Sequence, residues 1–265
     1  MKEVSVIILT GYGINCDVET GWAFQMAGAQ RIDRVHVNRI INNEVNLDDY
    51  QILVFPGGFS FGDHISSGRV LGLKVKKEMG DKIEKFIAEK KLVLGICNGF
   101  QVLVKTGILP GKRDGVFGKQ VATLACNDSA KYEDRWVVIK PNPDNKSPFL
   151  KGISSFKVAV RHGEGKFTAP NYIMREIRSS NMIAFQYVDE KDEVAVSYPE
   201  NPNGSDLSIA GITNYNGNVL GLMPHPEVYI NRTQHPRWTR DDTLEESGEG
   251  LQLFKNAVNY VLEEL

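Results

Sequence analysis

The sequence predicts an α/β protein: one doubly wound domain over residues 1–265, with a mixed, mostly parallel central sheet flanked by helices. Three observations lead there. Continuous β-branched and apolar runs at residues 3–10, 51–55 and 91–96 lack the alternation of a half-exposed strand and read as strands covered on both faces. Segments of helical spacing separate them. The second half supplies shorter β-rich runs, which read as additional strands of a mixed sheet.

Residues 3–10 form the first central strand. After Gly11, Gly13 and Asn15, a helix is expected over residues 17–27, with Trp22, Ala23, Met26 and Ala27 on one face and Asp17 as N-cap. Between the strands at 51–55 and 91–96, Val75, Met79, Ile83 and Phe86 recur at helical spacing. Later strands are expected at 136–139, 156–160, 183–188, 207–212 and 218–223, and a closing helix carries Leu251, Phe254, Val258 and Val261. Proline and asparagine cluster at 141–148 and 201–205, which read as surface loops and not as domain linkers.

Composition excludes several classes. Charged residues make up 24% and hydrophobic ones 42%, a globular balance with no long like-charge run to suggest a disordered tail. With a formal net charge of −2 and no basic stripe, neither nucleic acid nor an anionic membrane is an expected partner. The apolar run at 4–9 is too short for a signal-peptide core, and no stretch approaches the roughly 18 apolar residues of a membrane span, so a cytoplasmic location is expected. Three cysteines, Cys16, Cys97 and Cys126, without a CxxC pair argue against a disulfide framework or a structural zinc site, and no metal is expected.

Cys97 stands apart. It lies in Gly95-Ile96-Cys97-Asn98-Gly99-Phe100-Gln101, after a buried strand and before a helix ending near Gly107. A nucleophile on such a strand-to-helix elbow is held exposed, flanking glycines relieve backbone crowding, and the helix amino end favours the thiolate. Cys16 and Cys126 lack that context and read as inert. A thiolate nucleophile needs a proton carrier and a group to orient it. His225 follows a buried strand, sits between two prolines, and has Glu227 two residues on. His162, in Arg161-His162-Gly163-Glu164-Gly165, is the second candidate, because flanking glycines suggest backbone close to a ligand. An oxyanion would need preorganised donors, which the N–H groups of Gly58 and Asn98 could supply. No Walker A loop or G-x-G-x-x-G fingerprint is present, so the chain itself is not expected to bind ATP or a dinucleotide.

Together these residues resemble the class I glutamine amidotransferases, whose elbow reads G-x-C-x-G-x-Q and whose triad ends in H-P-E. More narrowly, six motifs resemble the glutaminase component of phosphoribosylformylglycinamidine synthase: Pro56-Gly57-Gly58-Phe59-Ser60-Phe61-Gly62-Asp63, Gly95 to Gln101, His162-Gly163-Glu164-Gly165, Gln186-Tyr187-Val188-Asp189, Asn201-Pro202-Asn203-Gly204-Ser205 and Gly221-Leu222-Met223-Pro224-His225-Pro226-Glu227. The resemblance implies a flavodoxin-like fold and a Cys97, His225, Glu227 triad that hydrolyses L-glutamine through a γ-glutamyl thioester. It implies glutamine contacts from Gly57, Gln101, Arg161, His162 and Gly163. It also implies a synthetase partner that binds ATP and magnesium, receives the ammonia and amidates formylglycinamide ribonucleotide, often with a small bridging subunit.

Sequence near 127–151 and 229–250, including Arg237-Trp238-Thr239-Arg240, exceeds compact members and resembles segments of larger fused forms. Two alternatives remain at this stage. One is another Cys-His hydrolase of the same fold, of the γ-glutamyl hydrolase or stress-protein type, where Gln186-Tyr187-Val188-Asp189 and residues 201–205 have no reason to occur. The other is a non-catalytic allosteric subunit, which an intact Cys97, His225 and Glu227 argue against.

Overall fold

The computed structural model describes residues 3–265. Nine strands join in one sheet: β1 (Ser5–Thr10), β2 (Arg31–His36), β3 (Ile52–Phe55), β4 (Leu92–Ile96), β6 (Glu133–Pro141), β7 (Phe156–His162), β9 (Ile183–Val188), β10 (Ile209–Thr213) and β11 (Val219–Leu222). Two short strands, β5 (Thr123–Ala125) and β8 (Lys166–Thr168), pair separately as an antiparallel ribbon. The sheet order is β2-β1-β3-β4-β11-β10-β9-β6-β7. From β2 to β11 every pairing is parallel, and from β11 to β7 every pairing is antiparallel. Strands β9 and β7 thus share the direction of the parallel group, and only β10 and β6 oppose it. β3, β4 and β11 are buried throughout, as their unbroken apolar sequences require for strands covered on both faces.

Six α-helices cover the sheet: α1 (Asp17–Met26), α2 (Val37–Ile41), α3 (Arg69–Ala88), α4 (Asn98–Thr106), α5 (Asn171–Ser179) and α6 (Leu251–Glu264). The chain steps outward from β1 to β2 through α1, and in the opposite direction from β3 to β4 through α3. Right-handed crossovers therefore put α1 and α3 on opposite faces, the doubly wound arrangement. Val75, Met79, Ile83 and Phe86 all point inward from α3, as their spacing predicts. Leu251, Phe254, Val258 and Val261 do the same from α6.

The structure corrects several expectations. On α1 the buried residues are Thr20, Gly21, Ala23 and Phe24, while Trp22 and Met26 are exposed. The helix is turned so that Phe24 meets Phe254 of α6 edge-on at 5.0 Å. Burying one such ring contributes about 1.5–3 kcal/mol. The N-cap is Cys16, not Asp17; the Asp17 carboxylate instead pairs with Arg34 at 3.1 Å. The segment 201–205 is no surface loop, because Asn201, Asn203 and Ser205 are buried. In the segment 141–148, Pro141 closes β6, and Asn145 and Ser147 turn inward to bond Ile183 O and Gly217 O. Among the described residues no helix is long and apolar enough to cross a membrane.

Candidate active site

The end of β4 and the start of α4 are separated by one residue, Cys97, which makes the whole turn. Its φ of 51° and ψ of −105° are strained for a residue with a Cβ, at a cost of about 1–3 kcal/mol. Two bonds hold it there: Cys97 N–H donates to Leu222 O at 2.8 Å, and Gln101 N–H donates to Cys97 O at 3.1 Å. The turn also needs Gly99, where a Cβ would stand 1.8 Å from Phe55 O. Helix α4 thus presses onto β3 with no room for a side chain. The thiol is 6% exposed and lies 3.6 Å from Arg161 O, at the end of β7.

His225 arrives from the neighbouring strand. β11 runs parallel to β4 with Leu222 opposite Ile96, so the chain leaves both strands side by side and at the same level. His225 N–H donates to Ala159 O of β7 at 2.9 Å, and the flanking Pro224 and Pro226 restrict the backbone. His225 Nδ1 and Glu227 Oε1 are 2.6 Å apart; a carboxylate only accepts, so Nδ1 carries the shared proton. Both side chains are buried, and His225 Nε2 and Glu227 Oε2 have no hydrogen-bond partner among the described residues. Burial alone would pull the imidazole down. The Glu227 carboxylate, the Cys97 thiol and the Cys16 thiol outweigh it and hold His225 well above its ordinary value. The imidazolium is therefore favoured, the form that can protonate a leaving amine.

The loop after β3 lies against the elbow. Gly58 has φ 144°, and a Cβ there would strike Gly13 O at 2.6 Å, so only glycine fits. Neither Gly58 N–H nor Asn98 N–H finds an acceptor among the described residues, the latter as expected for the first amide of a helix. The Asn98 side chain accepts from Ser60 N–H at 3.2 Å and donates to Asp63 Oδ1 and to Gln101 Oε1 at 3.1 and 2.9 Å. Gln101 Nε2 donates to Glu164 O at 2.6 Å, and Glu164 Oε2 accepts from Ser67 N–H at 3.1 Å. Half-buried Asp63 is raised by desolvation and further by the Glu164 charge. The two carboxylates thus lie beside the first turn of α4, with Lys105 of the same helix within electrostatic reach of Glu164.

Of the residues singled out in the sequence, the structure brings together Cys97, His225, Glu227, Gly57, Asn98, Gln101 and the backbone of Arg161. The Arg161 guanidinium comes within 3.5 Å of His225 Nδ1, and Gly163 O accepts from Asn127 N–H at 2.9 Å. The His162 ring turns away from a catalytic part. Its Nδ1 faces Asn127 Oδ1 at 3.1 Å and its Nε2 faces Asn203 Nδ2 at 3.4 Å, which selects the neutral tautomer with the proton on Nδ1. Burial lowers His162 to about 3. Gly57 faces His225, not open space: a Cβ there would lie 2.9 Å from the ring Cε1 and 3.2 Å from Cys16 Sγ. Cys16, read as inert from the sequence, is buried but sits beside the imidazole. Its place after β1, at the carboxyl end of a parallel strand where ligands gather in such sheets, was the signal for it. Asp63, Glu164 and Asn203 stand in the six sequence motifs without a role of their own, and Asn127 in none of them; the structure places Asp63 and Glu164 around the first turn of α4 and the two asparagines on the His162 ring.

A strained thiol, an imidazole held by a buried carboxylate and two free amides form a set that can carry acyl transfer through a covalent intermediate. Residues 3–261 match the family model for the CobB/CobQ-like glutamine amidotransferase domain. The chain belongs to this glutamine amidotransferase family. Among its relatives in the family, a protein of Dehalococcoides mccartyi is 41% identical over 98% of each chain, and one of Methanococcus maripaludis is 40% identical over 96% of this chain and 97% of its own. Both are named phosphoribosylformylglycinamidine synthase subunit PurQ. A chain in the structure of PurLQS from Thermotoga maritima superposes with a TM-score of 0.73 at 27% identity, covering 98% of this chain and all of that one. Near-complete coverage of both relatives means that the segments 127–151 and 229–250 are not peculiar to this glutamine amidotransferase. The first of them contains β6, an integral strand of the sheet.

Proposed function

We propose that the chain is the glutaminase subunit of phosphoribosylformylglycinamidine synthase. Cys97 Sγ attacks the carboxamide carbon of L-glutamine, and the N–H groups of Gly58 and Asn98 hold the oxyanion. His225 gives its proton to the departing nitrogen, so that ammonia leaves and a γ-glutamyl thioester remains on Cys97. The ring then takes a proton from water, hydroxide adds to the thioester, and glutamate and the free thiol return. Glu227 keeps the ring in one orientation throughout. Gln101 and the backbone of 161–163 line the substrate's path, and the carboxylates of Asp63 and Glu164 suit its α-ammonium.

The ammonia goes to a synthetase subunit, which binds ATP and magnesium and converts formylglycinamide ribonucleotide to formylglycinamidine ribonucleotide; this chain holds no cofactor of its own. A small third subunit bridges the two, and the assembly works in the cytoplasm in purine biosynthesis. The observation that carries this reading is the buried 2.6 Å contact between His225 and Glu227 beside the Cys97 elbow. Relatives named as this subunit over their whole length support the choice of partner. Cys97→Ala tests it: with the synthetase present, glutamine-dependent synthesis should vanish and ammonia-dependent synthesis should persist. Synthesis from glutamine by that variant would show that the nucleophile lies elsewhere.

A further inference from the structure

The reaction above leaves Cys16 without a task, although it is buried against the base. Cys16 Sγ, a ring nitrogen of His225 and a carboxylate oxygen of Glu227 all lie within 4.8 Å of one another. All three residues are buried, and Glu227 Oε2 has no hydrogen-bond partner among the described residues; His225 Nδ1 faces Glu227 Oε1 at 2.6 Å, so a cation held by both would take the place of the proton they share. Thiolate, imidazole and carboxylate are the three donor types that zinc accepts, at about 2.0–2.3 Å each. Ligand atoms of a tetrahedral zinc stand about 3.3–3.8 Å apart on those bond lengths, so shifts of about 1 Å would close the set. A fully buried carboxylate also calls for a nearby positive charge, which the imidazolium provides and a metal dication would provide in its place once the Arg161 guanidinium, 3.5 Å from His225 Nδ1, withdrew.

We infer that the chain takes a zinc ion at Cys16, His225 and Glu227, leaving a fourth position for water, and that zinc held there stops glutamine hydrolysis. Coordination expels the Cys16 thiol proton, and any proton on the ligating ring nitrogen, to solvent. It occupies the imidazole and the carboxylate that would otherwise manage protons for the leaving ammonia. Magnesium, which prefers six oxygens, does not fit this donor set. The inhibitory half of the inference rests on the catalytic reading of His225; the binding half does not.

The full chain carrying Cys97→Ala separates the two, because the nucleophile can then no longer serve as a ligand. Zinc titrated into that variant against a chromophoric chelator should fill one tight site. Adding Cys16→Ala, or separately His225→Gln, should weaken that site by about 10-fold or more, the scale on which lost ligand support is felt. Exposed Cys126 is common to all these chains and cancels in the comparison. In the chain with Cys97 intact and synthetase added, zinc should suppress glutamate release and magnesium at the same concentration should not. The zinc needed for half-suppression should rise about 10-fold or more with Cys16→Ala, each chain being compared with its own zinc-free rate. No zinc uptake by Cys97→Ala, or uptake unchanged by both further substitutions, overturns the site. Uptake as expected by a chain that releases no glutamate overturns the catalytic reading instead.

Discussion

Gly57→Ala should slow glutamine hydrolysis about 10-fold while leaving the fold intact. The new Cβ would lie 2.9 Å from His225 Cε1 and 3.2 Å from Cys16 Sγ, against 3.4 Å for ordinary contact. The imidazole must therefore withdraw by about 0.5 Å. It cannot do so freely, because its backbone is bonded to Ala159 and its ring to Glu227. A displacement of about 1 Å at a reacting group costs on the order of 100-fold, so half of that gives about 10-fold, expressed in kcat. Crowding costs about 1–3 kcal/mol and the stiffer unfolded chain returns about 0.4–1, so the net loss is about 1 kcal/mol and the melting point falls by about 2–4 °C. Glutamate release with synthetase present measures the rate, and thermal unfolding measures the fold. Gly80→Ala is the control: it lies inside α3 with nothing within 4 Å of the added Cβ, and should raise stability by about 1 kcal/mol without touching the rate. A Gly57→Ala chain with unaltered kcat would refute the claim that the ring's position at Gly57 matters to turnover.

His162 makes stability depend on pH in a definite direction. Its folded value of about 3 lies below the unfolded 6.5, so its contribution is present above the unfolded value and lost as pH falls toward the folded one. Between about pH 7.5 and about pH 5 this removes roughly 2 kcal/mol. Denaturant midpoints of the natural chain minus those of His162→Gln should show that slope, whereas raised His225 moves stability the other way and cancels in the difference. Cys97→Gly should unfold at a higher denaturant concentration than Cys97→Ala, by about 1 kcal/mol or more, because only glycine accepts the elbow's backbone without strain. Equal midpoints would mean that the elbow stores no strain. Glu227→Gln removes the charge that lifts His225, so the ring should titrate lower by NMR and kcat should fall by about 100-fold or more.

The sequence made the site's chemistry more legible than its supports. Cys97, His225 and Glu227 announce themselves because the elbow and the Pro-His-Pro-Glu turn are local patterns that follow buried strands. The strands 51–55 and 91–96 were equally plain, since a strand covered on both faces has no alternation to confuse it. β2 was not, because it is the sheet's edge and reads Arg31-Ile32-Asp33-Arg34-Val35-His36, with only Val35 buried. The face of α1 misled because Trp22 and Met26 are large and apolar, yet the sheet and α6 accept the smaller Thr20, Gly21 and Ala23. Asn201, Asn203 and Ser205 look like a polar loop until His162 is placed, whereupon Asn203 proves to be a ring partner supplied from a distance. Cys16 escaped for the same reason: its neighbour His225 lies across the sheet.

Why nucleophile and base meet follows from the sheet itself. Cys97 and His225 leave adjacent parallel strands, so their separation is set by the hydrogen-bond register of Ile96 and Leu222 and by the three residues to His225. The third support is less obvious. Strand β7 stands four places from β11 in the sheet, about 19 Å away were the sheet flat. Ala159 of β7 nevertheless accepts the His225 N–H at 2.9 Å, and Arg161 O meets the thiol at 3.6 Å. The antiparallel strands must therefore curl back over the carboxyl end of the parallel ones, as the twist of neighbouring strands allows. The antiparallel half is thus a wall of the site and not an appendage, because it pins the base and closes the space above the thiol. The residues 127–151 that look like an insertion include β6, through which that curl passes. Trimming them would therefore be expected to cost activity before it costs the parallel core.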